Sequence, residues 1–175
     1  MKLAVSKCKF DGCAVSGLFP DICNAVVSNC PILQKKSAML TAYLAFNGNA
    51  EEAFNFYKDA LGGEFTNIQR FGDTPQGEQM SDADKKKIMH VTLKGPNGIV
   101  LMGNDHMEFM GPFNAGNNIS LSLHPDSEDL ANTLFNNLSA GGTVTMPLEK
   151  VFWGAYFGMF VDKFGIQWMV NHEYK

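Results

Sequence analysis

The chain has 175 residues, 45% hydrophobic and 18% charged, with a formal net charge of -4. That length and composition predict one globular domain with an appendage, long enough to bury a core, and the order of strands and helices along the chain makes that domain α+β. No run approaches the roughly 20 uncharged apolar residues of a membrane helix, so a soluble protein without a membrane partner is expected. Lysines and arginines are scattered, and the one basic run, Lys85 to Lys87, follows Asp82 and Asp84. A chain lacking a basic stripe is not expected to bind nucleic acid.

Residues 1–38 read as an extension of unknown role. They hold all four cysteines, Cys8, Cys13, Cys23 and Cys30, so the rest of the chain has no thiol for a disulfide or a metal. The intervening spacings of four, nine and six residues do not make the paired Cys-x-x-Cys of a zinc ribbon. Lys7, Lys9 and Asp11 interrupt the apolar start too early for a secretory signal, and the segment is not Arg-rich enough for a transit peptide. Unpaired thiols fit a reducing compartment, and a cytoplasmic location is expected.

Residues 39–175 carry the domain. A first strand at Leu44 to Asn47 leads into a helix from Ala50 to Leu61, with Asn49 and Glu52 placed for a capping box. Ala53, Phe54, Tyr57 and Leu61 lie on one face of that helix. The pair Gly62-Gly63 stops it, and strands are predicted at Glu64 to Phe71, Ile88 to Lys94 and Asn97 to Asn104, the first two separated by a loop from Gly72 to Lys87.

The same order then recurs. Leu121 to His124, a helix from Ser127 to Ala140, and Gly141-Gly142 repeat the opening 77 residues later, with Leu130, Ala131, Leu134 and Leu138 as the apolar stripe. Asp126 with Asp129 takes the capping role. Strands follow at Thr143 to Met146, Ala155 to Val161 and Phe164 to Asn171, and the last repeats Asn97 to Asn104 at a shift of 67, with Gly, Ile, Met and Asn coinciding. Module one spans about 40–104 and module two about 118–171, joined by a linker.

Several stretches carry a family resemblance: Tyr43-Leu44-Ala45-Phe46-Asn47-Gly48-Asn49, Phe56-Tyr57 with Leu61-Gly62-Gly63, Met89-His90, Leu101-Met102, Met146-Pro147-Leu148, Phe152-Trp153-Gly154, and Phe164 to Asn171. Together they resemble the vicinal oxygen chelate superfamily of glyoxalase, bleomycin-resistance and dioxygenase proteins, and within it the PhnB-like group. The resemblance implies paired βαβββ modules forming a curved mixed sheet around a cleft, frequently in a homodimer. Unpaired sheet edges with apolar faces also favour a second copy as partner. PhnB-like sequences sometimes carry the label of a demethylubiquinone methyltransferase, but nothing in this chain reads as a methyl-donor site.

Metal-using members of the superfamily place ligands near the starts of the two first strands and a Glu in each terminal strand. Here the terminal-strand positions align with Met102 and Met169, the others falling near Ala42 or Tyr43 and near Asn118. A thioether is a poor ligand for the divalent ions concerned, so no metal or other cofactor is expected.

Strand alternation turns Val100, Met102 and Asn104 to one face, with Gln167, Met169 and Asn171 doing the same in the second module. Leu101 and Trp168 then face the helices. The same alternation sends His90, Thr92, Ser120 and Ser122 toward the cleft, a wall suited to an apolar or aromatic molecule. Tyr43, His90, Met102, Ser120, Ser122, Trp153, Gln167 and Met169 are the candidate ligand-binding residues, Trp153 as a stacking platform. His90 is the candidate acid or base, with Asp105 as its partner. His106, Glu108, His172 and Glu173 are assigned to solvated surface.

Two functions of different class follow. The first is a metal-free protein that binds a small apolar or aromatic molecule. The second is a metal-dependent isomerase, lyase or dioxygenase in which a divalent ion is held by non-standard ligands, His90 and Asp105. Acid–base chemistry by His90 without a metal is a third.

Overall fold

Each module builds a four-stranded sheet with one long helix against it. The computed structural model describes residues 40–174, and the expected extension, with its four cysteines, lies outside the described residues. Module one contains β1 (Ala42–Phe46), α1 (Ala50–Leu61), β2 (Glu64–Arg70), a single-turn α2 (Asp82–Lys86), β3 (Ile88–Lys94) and β4 (Val100–Asp105). Module two contains β5 (Ser120–Leu123), α3 (Glu128–Ser139), β6 (Thr143–Val151), β7 (Ala155–Val161) and β8 (Gln167–Glu173). The sheet orders are β1-β4-β3-β2 and β5-β8-β7-β6. In both, the first strand pairs parallel with the last and the other neighbours are antiparallel. This is the α+β fold of two curved, mixed four-stranded sheets expected from the repeat.

The helical stripes do what their spacing dictates. Ala53, Phe54, Tyr57 and Leu61 are buried on α1, and Ala131, Leu134, Phe135 and Leu138 on α3. Phe135 takes the place expected for Leu130, which is only half-buried. Beneath them lie Ile88, Val91, Leu93 and Leu101 of the first sheet and Phe160, Trp168 and Val170 of the second. The second glycine of each pair serves close packing. A Cβ at Gly63 would collide with the Lys94 carbonyl, and one at Gly142 with the Val161 carbonyl.

The helix starts differ from expectation. Asn49 makes no side-chain cap; instead the Asp105 carboxylate, at the end of β4, accepts from Ala50 N at 2.8 Å. For α3 the cap is Ser127, whose hydroxyl accepts from Leu130 N at 3.3 Å, rather than Asp126. Strand β6 runs to Val151, beyond the expected Met146, and contains Pro147. An edge strand accommodates a residue that has no N–H to donate, and two register irregularities lie beside it.

A buried carboxylate joins the modules. Asp162 is 3% exposed and accepts four hydrogen bonds: Tyr57 Oη at 2.7 Å, Trp168 Nε1 at 2.8 Å, Phe164 N at 2.9 Å and Ile166 N at 3.0 Å. Tyr57 belongs to α1, while the other three donors follow Asp162 in module two. Phe164 closes the same seam against Phe46, Phe56 and Tyr57, with ring centroids 5.6 to 6.4 Å apart.

Candidate functional site

Alternation along β4 and β8 sorts side chains onto two faces. Leu101, Gly103 and Asp105 are buried toward the helix, whereas Val100, Met102 and Asn104 are half-buried on the other side. Trp168 and Val170 are buried under α3, with Gln167, Met169 and Asn171 opposite. Cross-strand register then sets two rows. In the first sheet Tyr43 faces Met102, Met102 faces Thr92, and Thr92 faces Asn67. In the second, Ser122 faces Met169, Met169 faces Met159, and Met159 faces Met146. The first row is mostly polar and the second mostly thioether.

The polar row is wired through His90. The Tyr43 hydroxyl lies 3.3 Å from His90 Nδ1, and His90 Nε2 lies 3.0 Å from Thr92 Oγ1. The Tyr43 and His90 rings are 5.8 Å apart. Thr92 is 6% exposed and Tyr43 53% exposed, so the chain of contacts runs from the sheet interior to an accessible phenol. Burial pushes the Tyr43 phenol above the ordinary tyrosine value, which keeps it protonated in neutral solution.

A cavity of about 830 Å³ opens between the edge strands β1 and β5. Tyr43, Ser120, Ser122 and Gln167 line it, bringing together four of the eight predicted ligand-binding residues. His90, Met102 and Met169 stand on the sheet faces behind it and do not line it. Trp153 is elsewhere, at the turn between β6 and β7, half-exposed and stacked edge-to-face with Phe152 at 4.9 Å and Phe157 at 5.7 Å. The linker supplies a wall that sequence reasoning passed over: Phe113, residues 114–118, and Ile119. Its one visible signal was an isolated isoleucine after the polar run Asn114 to Asn118. Met159 and Met146 were missed as well, because only register places them beside Met169.

Asp105 is not the partner of His90. Its oxygens accept from Ala50 N and Ile88 N at 2.8 Å each, on the helix side of the sheet, and it is 2% exposed. The physical reason is parity: Asp105 is an odd number of residues from Met102, so it faces away from the cleft. His106 and His172 are also not merely solvated. Each is half-buried, with His106 Nε2 donating to the Gly111 carbonyl at 2.7 Å and His172 Nδ1 to the Pro125 carbonyl at 2.9 Å.

The metal positions implied by the fold do not suit a hard divalent ion. Met102 and Met169 occupy the terminal-strand sites, and the residues opposite them are Tyr43 and Ser122. Ser122 lies four residues beyond the expected Asn118: the 77-residue repeat makes Ser120 the counterpart of Tyr43, two residues on, and the second module pairs its first and last strands in a register two residues further still. Two thioethers, a protonated phenol and an alcohol are a poor donor set for such an ion. Among the described residues, no three His, Cys, Asp or Glu side chains come together to hold a metal.

The model of the Glyoxalase/Bleomycin resistance protein/Dioxygenase superfamily matches residues 40–170. The chain belongs to that superfamily. The crystal structure of protein PA1353 from Pseudomonas aeruginosa is similar, with 44% identity, a TM-score of 0.70, and 78% of this chain and 98% of that one covered. The PhnB protein from Bacillus cereus is 27% identical with a TM-score of 0.64, over 77% of this chain and 99% of its own. Protein YjdN of Escherichia coli (strain K12) is 31% identical over 137 residues, which is 75% of this chain and 93% of YjdN. Superfamily membership and the PhnB-like relatives match the expectation drawn from the sequence.

Proposed function

We propose that this superfamily member is a metal-independent binding protein for a small apolar or aromatic molecule, held between the modules. The observation that carries this reading is the replacement of ligand chemistry by thioethers on both terminal strands, Met102 and Met169, next to a cavity of about 830 Å³. The cavity wall itself suits a hydrocarbon guest, with Leu44, Phe113, Ile119, Leu121 and Ile166 lining it. A two-ring aromatic that hides about 250 Å² of apolar surface gains about 6 kcal/mol. That sum sets a ceiling at a dissociation constant of about 40 μM, which the cost of association weakens toward the millimolar range and beyond.

The working unit in this reading is a homodimer. Strands β1 and β5 end their sheets with unpaired edges, and the half-buried methionines on both sheet faces are the kind of surface a second copy covers. A cytoplasmic location accompanies it. No helix among the described residues is long and apolar enough to cross a membrane. Nucleic acid has no part in the proposal, because two of the three lysines of the basic run are paired with neighbouring aspartates: Lys87 with Asp84 at 2.8 Å and Lys85 with Asp82 at 3.6 Å.

A thermal-shift screen of aromatic compounds, repeated in EDTA, tests the reading. Compounds that raise the melting point equally with and without chelator support it. Stabilisation that vanishes in EDTA contradicts it.

A further inference from the structure

Tyr43 is the residue shared by the cavity and the hydrogen-bonded chain on the first sheet. The binding reading uses it as wall, yet its hydroxyl has a specific neighbour, and that neighbour has one of its own. A neutral imidazole carries one N–H and one lone pair, so the chain has two complete arrangements. In one, the Tyr43 hydroxyl donates to His90 Nδ1, and His90 Nε2–H donates to Thr92 Oγ1. The Tyr43 oxygen then offers only lone pairs to the cavity. In the other, Thr92 donates to Nε2 and Nδ1–H donates to the phenol oxygen, so the Tyr43 O–H is free to point outward.

We infer that Tyr43, set by the His90–Thr92 pair behind it, is the polar anchor of the cavity and selects aromatic molecules bearing one oxygen, either a hydroxyl or an ether or carbonyl. This rests on the binding reading and narrows its ligand class. The two arrangements hold the same number of protons and differ in the imidazole tautomer and the rotation of the two hydroxyls; the tautomers interconvert by proton exchange with water, and both imidazole nitrogens stay partnered. A hydroxyl guest is met by an acceptor and an ether or carbonyl guest by a donor, with no buried group orphaned in either case. Tyr43 is a specificity-determining residue, and His90 is a positioning residue that acts through it. Among the other polar cavity residues, Ser122 has one histidine contact, Oγ to His124 Nε2 at 3.0 Å between exposed groups, with no buried partner behind that ring among the described residues, and Gln167 Nε2 is already committed to the Ile119 carbonyl at 3.2 Å.

Naphthalene, 1-naphthol and 1-methoxynaphthalene share one apolar body and differ only in the oxygen, so their fluorescence titrations isolate the anchor. Against the wild-type protein, both oxygenated probes are expected to bind about five- to tenfold tighter than naphthalene, the gain of about one hydrogen bond. Tyr43→Phe is expected to remove both gaps, read against that variant's own naphthalene affinity, and His90→Leu to narrow both with Tyr43 intact. Because Tyr43 is half-exposed, the phenylalanine variant should fold normally, and a melting temperature within a few degrees of the wild type reports that directly. If all three probes bind the wild type equally, or the gaps survive in Tyr43→Phe, the anchor is refuted and the binding reading stands. A gain for 1-naphthol alone overturns the two-way arrangement. If naphthalene and its derivatives all fail to bind the wild type, the binding reading falls and takes the anchor with it.

Discussion

The Tyr57 hydroxyl of module one donates to the Asp162 carboxylate of module two at 2.7 Å, across 105 residues of chain. Both groups are buried, and Asp162 accepts from three further donors, two in its own turn and the Trp168 indole on β8. Because the cavity is bounded by both modules, whatever fixes one against the other also fixes the cavity's width.

Removing the acceptor is therefore expected to cost more than removing the donor. Asp162→Ala strands the Tyr57 hydroxyl, the Trp168 indole N–H and two backbone N–H groups, for a loss of about 3–5 kcal/mol. Tyr57→Phe removes one of four donors and should cost about 1–3 kcal/mol. Urea denaturation of the two variants checks the order. The pair also has a pH signature. Burial, then the charge and hydrogen bond of Asp162, push the Tyr57 phenol far above the ordinary tyrosine range. Above about pH 10 the folded state keeps a proton that the unfolded state has lost, so stability falls as pH rises beyond that point. Tyr57→Phe should flatten this alkaline decline.

Asp105 is expected to be structural. Asp105→Ala leaves the Ala50 and Ile88 amides unpaired in the interior and should cost about 3 kcal/mol, read as a lower melting temperature. Asp105→Asn, which retains one acceptor oxygen, should recover part of the loss. Equal stability of wild type and Asp105→Ala would contradict the clamp.

On the acid side, the exposed bidentate pair of Arg70 with Glu51, at 2.7 and 2.9 Å, ties the end of β2 to α1. The hydrogen bond from Arg70 lowers the Glu51 pKa. A depressed carboxylate contributes stability above its unfolded pKa and loses it as pH falls through the folded value. Glu51→Gln should thus reduce stability at pH 7 by no more than about 0.5 kcal/mol, because solvent screens the pair, and make the decline below pH 5 shallower. Melting curves from pH 3 to 7 measure both.

Filling the cavity separates its role from the fold's. Ser122 is exposed, lines the cavity, and faces Met169. Ser122→Trp is expected to weaken naphthalene binding at least about tenfold, the loss of roughly 1.4 kcal/mol of contact. Its melting temperature should stay within a few degrees of the wild type. Undiminished binding would place the guest elsewhere.

Much of the architecture was legible in the sequence because burial imposes periods. The 3.6-residue stripe from Ala53 to Leu61 and the two-residue alternation through Leu101, Met102 and Gly103 leave little freedom in which side faces the core. The glycine pairs marked the modules' common design. What was hidden depends on partners distant in the chain. Nothing near Asp105 shows that it caps a helix 55 residues earlier, and nothing near Asp162 shows that Tyr57 reaches it. Register was equally invisible: sliding β5 by two residues keeps every side chain on its face while changing which residue meets Met169. The cavity wall from Phe113 to Ile119 escaped notice because an irregular linker has no period to read.

The most direct test of metal-independent binding is elemental analysis of the purified protein, with thermal melts in Zn, Ni, Mn and Fe(II). Metal well below one equivalent, and a melting temperature indifferent to all four ions while an aromatic ligand still raises it, is the expected result. Stoichiometric metal, or one ion that raises the melting temperature and is required for ligand binding, would contradict it and make a metal-dependent enzyme the leading reading.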